Sequence, residues 1–339
     1  MKRIILFLRA FIIMLTLSVK VWAGTAYQNC LDTVGSDKCK TASKNDVDIY
    51  YSVDNGTMTI YGSTGDEERT LLPEQAFFAR ALPEGATTLK FQGNVDVGER
   101  SFHGTYNLRN VDLSGVQSIG DNAFFVTNSL TGHLSLNGVQ TIGTGAFYHV
   151  FGLTSVDLSG VQSIGLSAFD GATGLTSVNL TGVGSIGQNA FWECTGLKSL
   201  DLTDVQSIGH RAFYNTTNLT SIVVSEGLLN ADGSIKQQSC NPSPCSGINS
   251  TAFEGSNLQT IYCPKGKTCA ASFLTGIDTP KIIHYTQDST GKITLDNGQA
   301  FASFSDLLSG KHIPRRIYTI EEAVKASKPT GNRVSIRYK

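Results

Sequence analysis

Charge is scarce in this chain. Asp, Glu, Lys and Arg make up 16% of its 339 residues, against roughly a quarter in ordinary soluble proteins. With 35 Gly and only 8 Pro, polarity has to come largely from Ser, Thr, Asn, Gln and Gly, a composition that suits a turn-rich extracellular fold. A formal net charge of -1 gives no reason to expect a nucleic-acid binder. The six His are scattered without a metal-ligand spacing. There is no G-x-S-x-G beside a His, no H-E-x-x-H, and no Gly-rich run leading from a strand into a helix. The expectation is a non-enzymatic protein that uses no metal and no cofactor. Glycosidase chemistry needs only two carboxylates, but repeated carboxylates give no reason for one pair to be tuned apart from the rest.

Long apolar runs are also missing, apart from the N-terminus. Lys2 and Arg3 form a basic start, Phe11 to Val19 is apolar, and Val21-Trp22-Ala23 suits a cut before Gly24. Residues 1–23 are therefore expected to be a cleaved secretory signal, leaving no transmembrane segment in the mature chain. Removing Lys2, Arg3, Arg9 and Lys20 leaves 23 basic residues against 28 acidic ones, about -5. From Ser289 to Lys339 nine Lys/Arg face four Asp/Glu, so the tail is basic and the body acidic.

What the chain has in abundance is repetition. V-D-L-S-G-V-Q-S-I-G at Val111 to Gly120 recurs unchanged at Val156 to Gly165. A phenylalanine follows each copy: Phe102, Phe124, Phe147, Phe169, Phe191, Phe213 and Phe253, separated by 22, 23, 22, 22, 22 and 40 residues. Within one unit Leu153, Val156, Leu158, Val161, Ile164, Ala168 and Phe169 are the core candidates. The period-two step fits a short strand and the three-residue steps fit a coil turning about an axis. Seven apolar residues in 22 cannot close a core alone, so each turn must bury them against its neighbours.

The repeated I-G-x-x-A-F block resembles the leucine-rich repeats of the BspA-like, or Treponema-type, class, over Thr88 to about Ala270. Ile49 to Gly62 looks like the hairpin that precedes the repeats in such proteins, with Asn55-Gly56 as its turn. The resemblance implies a leucine-rich-repeat solenoid, mainly β with short turns and 3-10 or helical returns, an N-terminal β cap and a small α+β C-terminal module. The expected boundaries are 1–23, 24–85, 86–272 with about seven turns and an insertion near 228–247, and a basic module over 273–339. It further implies a secreted or cell-surface protein active in adhesion, binding a protein or glycan ligand on a host or neighbouring cell. A structural envelope protein is the alternative, and a glycan-acting hydrolase a more distant one.

Two columns of equivalent residues offer binding surfaces. Asp112, Ser135, Asp157, Asn179, Asp201 and Val223 are expected to face outward from the strand, either to hold sugar hydroxyls or a cation or merely to keep the sheet solvated. The residue after each register phenylalanine gives His103, Phe125, Tyr148, Asp170, Trp192 and Tyr214. In extended chain these face out, so that Phe125, Tyr148, Trp192 and Tyr214 line a binding flank, unless the rings lie flat in grooves and seal the stack. Six of the seven Cys form close pairs, Cys30 with Cys39, Cys240 with Cys245, and Cys263 with Cys269, read as local disulfides. Cys194 remains as a small buried residue. The insertion, with its S-C-N-P-S-P-C-S stretch, is expected to leave the stack as a loop. In the tail, strands are expected at Lys281 to Tyr285 and Lys292 to Leu295, a short helix near Ser305 to Leu308, then a strand at Arg316 to Tyr318, a helix opening at Thr319, and a last strand through Val334, Ile336 and Tyr338.

Overall fold

The computed structural model describes residues 29–44, 47–62, 70–72, 81–238, 246–270, 272 and 274–311. The expected signal segment, the Cys240 and Cys245 pair and the tail beyond residue 311 lie outside them. The chain divides at Tyr285 into two compact units, Met1–Tyr285 and Thr286–Lys339.

The first unit is a β-solenoid. One parallel face consists of two-residue strands, Ser118–Ile119, Thr141–Ile142, Ser163–Ile164, Ser185–Ile186, Ser207–Ile208 and Gly247–Ile248, in strict register. The other is built from the V-x-L segments, including Gly152–Asp157, Ser177–Asn179 and Ser199–Leu202. The antiparallel pair Val47–Asp54 and Thr57–Tyr61 precedes the repeats, turning through Asn55 and Gly56, both at positive φ. Thr57–Tyr61 then pairs in parallel with Thr88–Gln92, which pairs with Asn110–Asp112, so the hairpin caps the sheet.

The seven residues proposed as one turn's core, Leu153 to Phe169, are each 2% exposed or less. All seven register phenylalanines are fully buried. From Phe102 to Phe253 their rings stack with centroids 5.2–5.4 Å apart and planes within 8° of parallel. That separation belongs to offset stacking.

The chain around each phenylalanine is not extended, contrary to the expectation from sequence. Around the first six, residues two before and two after adopt left-handed dihedrals, as at Asn122 (φ 54°) and Val126 (φ 56°) around Phe124; at Phe253 only Gly255, two after, does. Alternating hands turn every second N–H the same way along the stack. Asn122 N donates to Thr144 O at 2.7 Å, Phe124 N to Ala146 O at 2.8 Å and Val126 N to Tyr148 O at 2.8 Å. The next turns repeat the pattern through Phe147 N to Ala168 O and Phe169 N to Ala190 O. The glycine after each isoleucine from Ile119 to Ile208 lets backbones approach: a Cβ on Gly143 would lie 2.7 Å from Gly120 C.

The excess residues before Phe253 do not leave as a free loop. Leu228, Leu229 and Ile235 join the common core, and the backbone is tied by Ile235 N to Ala270 O and Cys269 N to Gly233 O. Apolar residues in the insertion give it a buried face, which overturns the expectation for this part; the tip at 239–245 lies outside the described residues.

In the second unit Ile293–Leu295 pairs antiparallel with Ala300–Phe301. The helix Phe304–Ser309 follows, with Ser303 Oγ accepting from Asp306 N and Gly310 ending it in the left-handed region.

A left-handed β-branched residue costs about 1 kcal/mol or more relative to one that tolerates the region. Val126→Asn is therefore expected to raise the unfolding free energy by about 1 kcal/mol in denaturant titration, since Asn122 and Asn215 already hold such dihedrals.

Candidate binding surfaces

The outward strand column is occupied by its own turns. Asp112 Oδ1 accepts from Ser114 N and Oγ, Asp157 Oδ1 from Ser159 N, Asn179 Oδ1 from Thr181 N and Oγ1, and Asp201 Oδ1 from Thr203 N and Oγ1. Each closes the bend that ends its strand. Asp157 Oδ1 also accepts from Asn179 Nδ2 at 2.8 Å across one rung. The Ser114 hydroxyl holds the Asp112 carboxyl below its usual range, whereas burial pushes Asp201 up. Ser135 is exposed. Val223 is not outward to solvent as expected; it is fully buried. The face turns apolar here, with Tyr262 beside Val223 in register and Tyr285 Oη donating to Val224 O at 2.9 Å. Among the described residues no three His, Cys, Asp or Glu side chains are placed to hold a metal ion.

The aromatic column does share one flank, although its backbone is not a strand. His103, Phe125, Tyr148, Trp192 and Tyr214 are all half-buried. His103 stacks on Phe125 at 5.0 Å, Phe125 on Tyr148 at 4.7 Å, and Trp192 on Tyr214 at 4.2 Å. The rings neither stand free nor disappear into grooves: each covers part of the next and leaves the rest to solvent. Three participants are not evident from the column. His149 stacks on Tyr148 at 4.0 Å, Phe151 lies 5.3 Å from His149 and is 43% exposed, and the Arg211 guanidinium lies 5.1 Å from the Tyr214 ring and 5.6 Å from Trp192. They sit two and four residues after, or two before, the register phenylalanine. Only the left-handed turn brings those positions to the same flank.

Asp170 interrupts the rings. Burial pushes its carboxyl up to about 6, the nearby Glu193 charge adds to this, and a Ser167 hydrogen bond opposes it. A Cβ on Gly171 would lie 2.3 Å from His149 Cδ2, so the glycine makes room for the imidazole that rests on it.

Cys30–Cys39 and Cys263–Cys269 are bonded, with Cα separations of 5.7 and 6.0 Å. Cys194 is free and fully buried. Burial pushes its thiol well up, and Sγ donates to Phe169 O at 3.1 Å. It occupies the position where Thr105, Thr127 and Thr216 bond the carbonyl of their own register phenylalanine.

The unfolded Asp170 carboxyl loses its proton near pH 4, the folded one near 6, so folding takes up a proton between these values. Stability accordingly falls as pH rises from about 4 to 6 and stays lower above. Asp170→Asn is expected to remove that slope and to gain about 1 kcal/mol at pH 7, a figure reduced for a half-exposed group. Thermal melts between pH 4 and 8 check it.

The BspA type leucine rich repeat region matches this chain in six copies, over residues 82–198, 117–241 and 181–276. A leucine rich cell surface protein of Faecalibacterium prausnitzii A2-165 is 22% identical, with 72% of this chain and 77% of that one covered and a TM-score of 0.42. A leucine-rich repeat protein of Bacteroides ovatus ATCC 8483 is 17% identical, covering 74% and 78%, with a TM-score of 0.37. The T. pallidum leucine rich repeat protein is 14% identical, covering 74% and 84%, with a TM-score of 0.29. A search of the curated proteins finds no match. With its repeats stacked as parallel turns and the family matched over more than half of its length, the chain belongs to the BspA type leucine-rich repeat family.

Proposed function

We propose that this protein is a secreted or cell-surface binding protein that uses the flank of its solenoid to adhere to a protein or glycan on a host or neighbouring cell. The observation that carries the reading is the half-exposed aromatic tract of Phe125, Tyr148, Trp192 and Tyr214 with Arg211. Aromatic and arginine side chains fixed on a rigid frame are the groups that dominate recognition surfaces. The basic start and apolar run of residues 1–23, expected to be a secretory signal, the two disulfides and the family support an extracytoplasmic setting.

The reading is non-catalytic. His133 Nδ1 and Ser155 Oγ do meet at 2.8 Å, but on an exposed strand where, among the described residues, no acid orients the ring. Asp112, Asp157 and Asp201 each commit one carboxylate oxygen to a turn bond, a structural role for that oxygen.

The triple variant Tyr148→Ser, Trp192→Ser, Tyr214→Ser tests the proposal on arrays of matrix proteins, glycans and cells. Losing stacked rings of this kind costs about 1 kcal/mol each beyond their burial, so the variant is expected to melt lower yet remain folded, and to lose capture of whatever the native protein binds. Undiminished capture by the folded variant contradicts the proposal, as does substrate turnover abolished by a single carboxylate substitution.

A further inference from the structure

The turn that ends at Phe147 is one residue longer than its neighbours. Three residues stand between Leu130 and Leu134 where two stand between Leu153 and Val156, and the ladder to the next turn is irregular there: Gly132, at φ 82°, is opposite Leu153 and His133 opposite Ser155, which leaves Thr154 as the bulged residue. Bulges bend strands and re-aim side chains. Here Thr131–Ser135 pairs with Gly152–Asp157 but not with Asn110–Asp112 on its other side. Leu136 N donates to Asp157 O and Leu158 N to Asn179 O, but the equivalent N–H of Leu113, a residue 2% exposed, has no partner among the described residues. The ladder parts once more, between Ser177–Asn179 and Ser199–Leu202, where the Asp204 carboxylate accepts from Gly182 N at 2.8 Å beside the parting. At the first parting a groove of about 470 Å³ is left open instead.

One lip of the groove carries Asp112 and Ser114, the other His133, Ser135 and Asn137, over an apolar strip of Val111 and Leu113. Elsewhere on this face neighbouring rungs satisfy one another, as Asp157 does with Asn179 and His133 with Ser155. No bond joins Asp112 to Ser135. The lips thus present a carboxylate oxygen, hydroxyls, an amide and the imidazole Nε2, a mixture of donors and acceptors. Lys90 stands beside Asp112 in register, so charge is offset and neither a cation nor an anion is strongly drawn.

We propose that this groove binds one or two residues of a neutral glycan, the hydroxyls taken by the lips and a C–H face of the ring resting on the part-exposed Val111. Its volume lies within the range of small-molecule sites. The proposal is independent of the aromatic flank.

The full mature chain, titrated by NMR with lactose, maltose, cellobiose and N,N′-diacetylchitobiose, tests it. At least one of these is expected to shift the His133 ring signals. His133→Ser with Asn137→Ser installs residues that Ser155 and Ser159 already show to be compatible with the turn, and is expected to weaken that binding about tenfold or more. Asp112→Asn, which keeps the bend as Asn179 does with Thr181, serves as the second variant and should weaken it too. The triple aromatic variant should retain it. Failure of all four sugars to move the His133 ring overturns the proposal, as does equal affinity in the folded groove variants.

Discussion

The stack of seven buried phenylalanine rings, 5.2–5.4 Å apart, is the constraint from which the rest of the molecule follows. A flat ring in each turn fixes the distance to the next, and the left-handed residues on either side aim alternate N–H groups at the adjacent turn. Ring and ladder enforce the same register. The small residue before each ring is part of that device: Ser101 and Ala123, Ala146, Ala168, Ala190, Ala212 and Ala252 are all buried, where a larger side chain would crowd the stack.

A frame of this kind separates structure from recognition. Inside, the same residues recur because every turn solves the same packing problem. Outside, columns are free to vary, and the departures gather there: the rings on the flank, Asp170 among them, and the additional residue at Gly132–His133 that opens a groove. The strand column keeps Asp or Asn at Asp112, Asp157, Asn179 and Asp201, where each ends its strand by bonding the Ser or Thr two residues on.

The repeats, the buried positions and the hairpin at Asn55-Gly56 were legible because each rests on local pattern. The Asp-Leu-Ser spacing at Asp112 to Ser114 also stood in the sequence, but only the bonds show that it occupies the carboxylate. Val126, His149 and Glu193 give no hint of left-handed dihedrals, since the ladder and not their own propensity imposes them. The places of Arg211 and Phe151 on the flank follow from those dihedrals and were hidden with them. Val223 lies in register beside Tyr262, some forty residues away, and Tyr285 bonds the neighbouring Val224 O, which no local pattern reports.

Native-state hydrogen exchange on Phe169→Ala tests the central claim most directly. If rings and ladder form one coupled stack, the amides of Phe147 and Phe191, which donate to Ala168 O and Ala212 O, should lose protection together with that of residue 169, while the hairpin Val47–Tyr61 keeps its own. Loss confined to the altered turn, with Phe147 and Phe191 amides protected as in the native chain, would contradict the account.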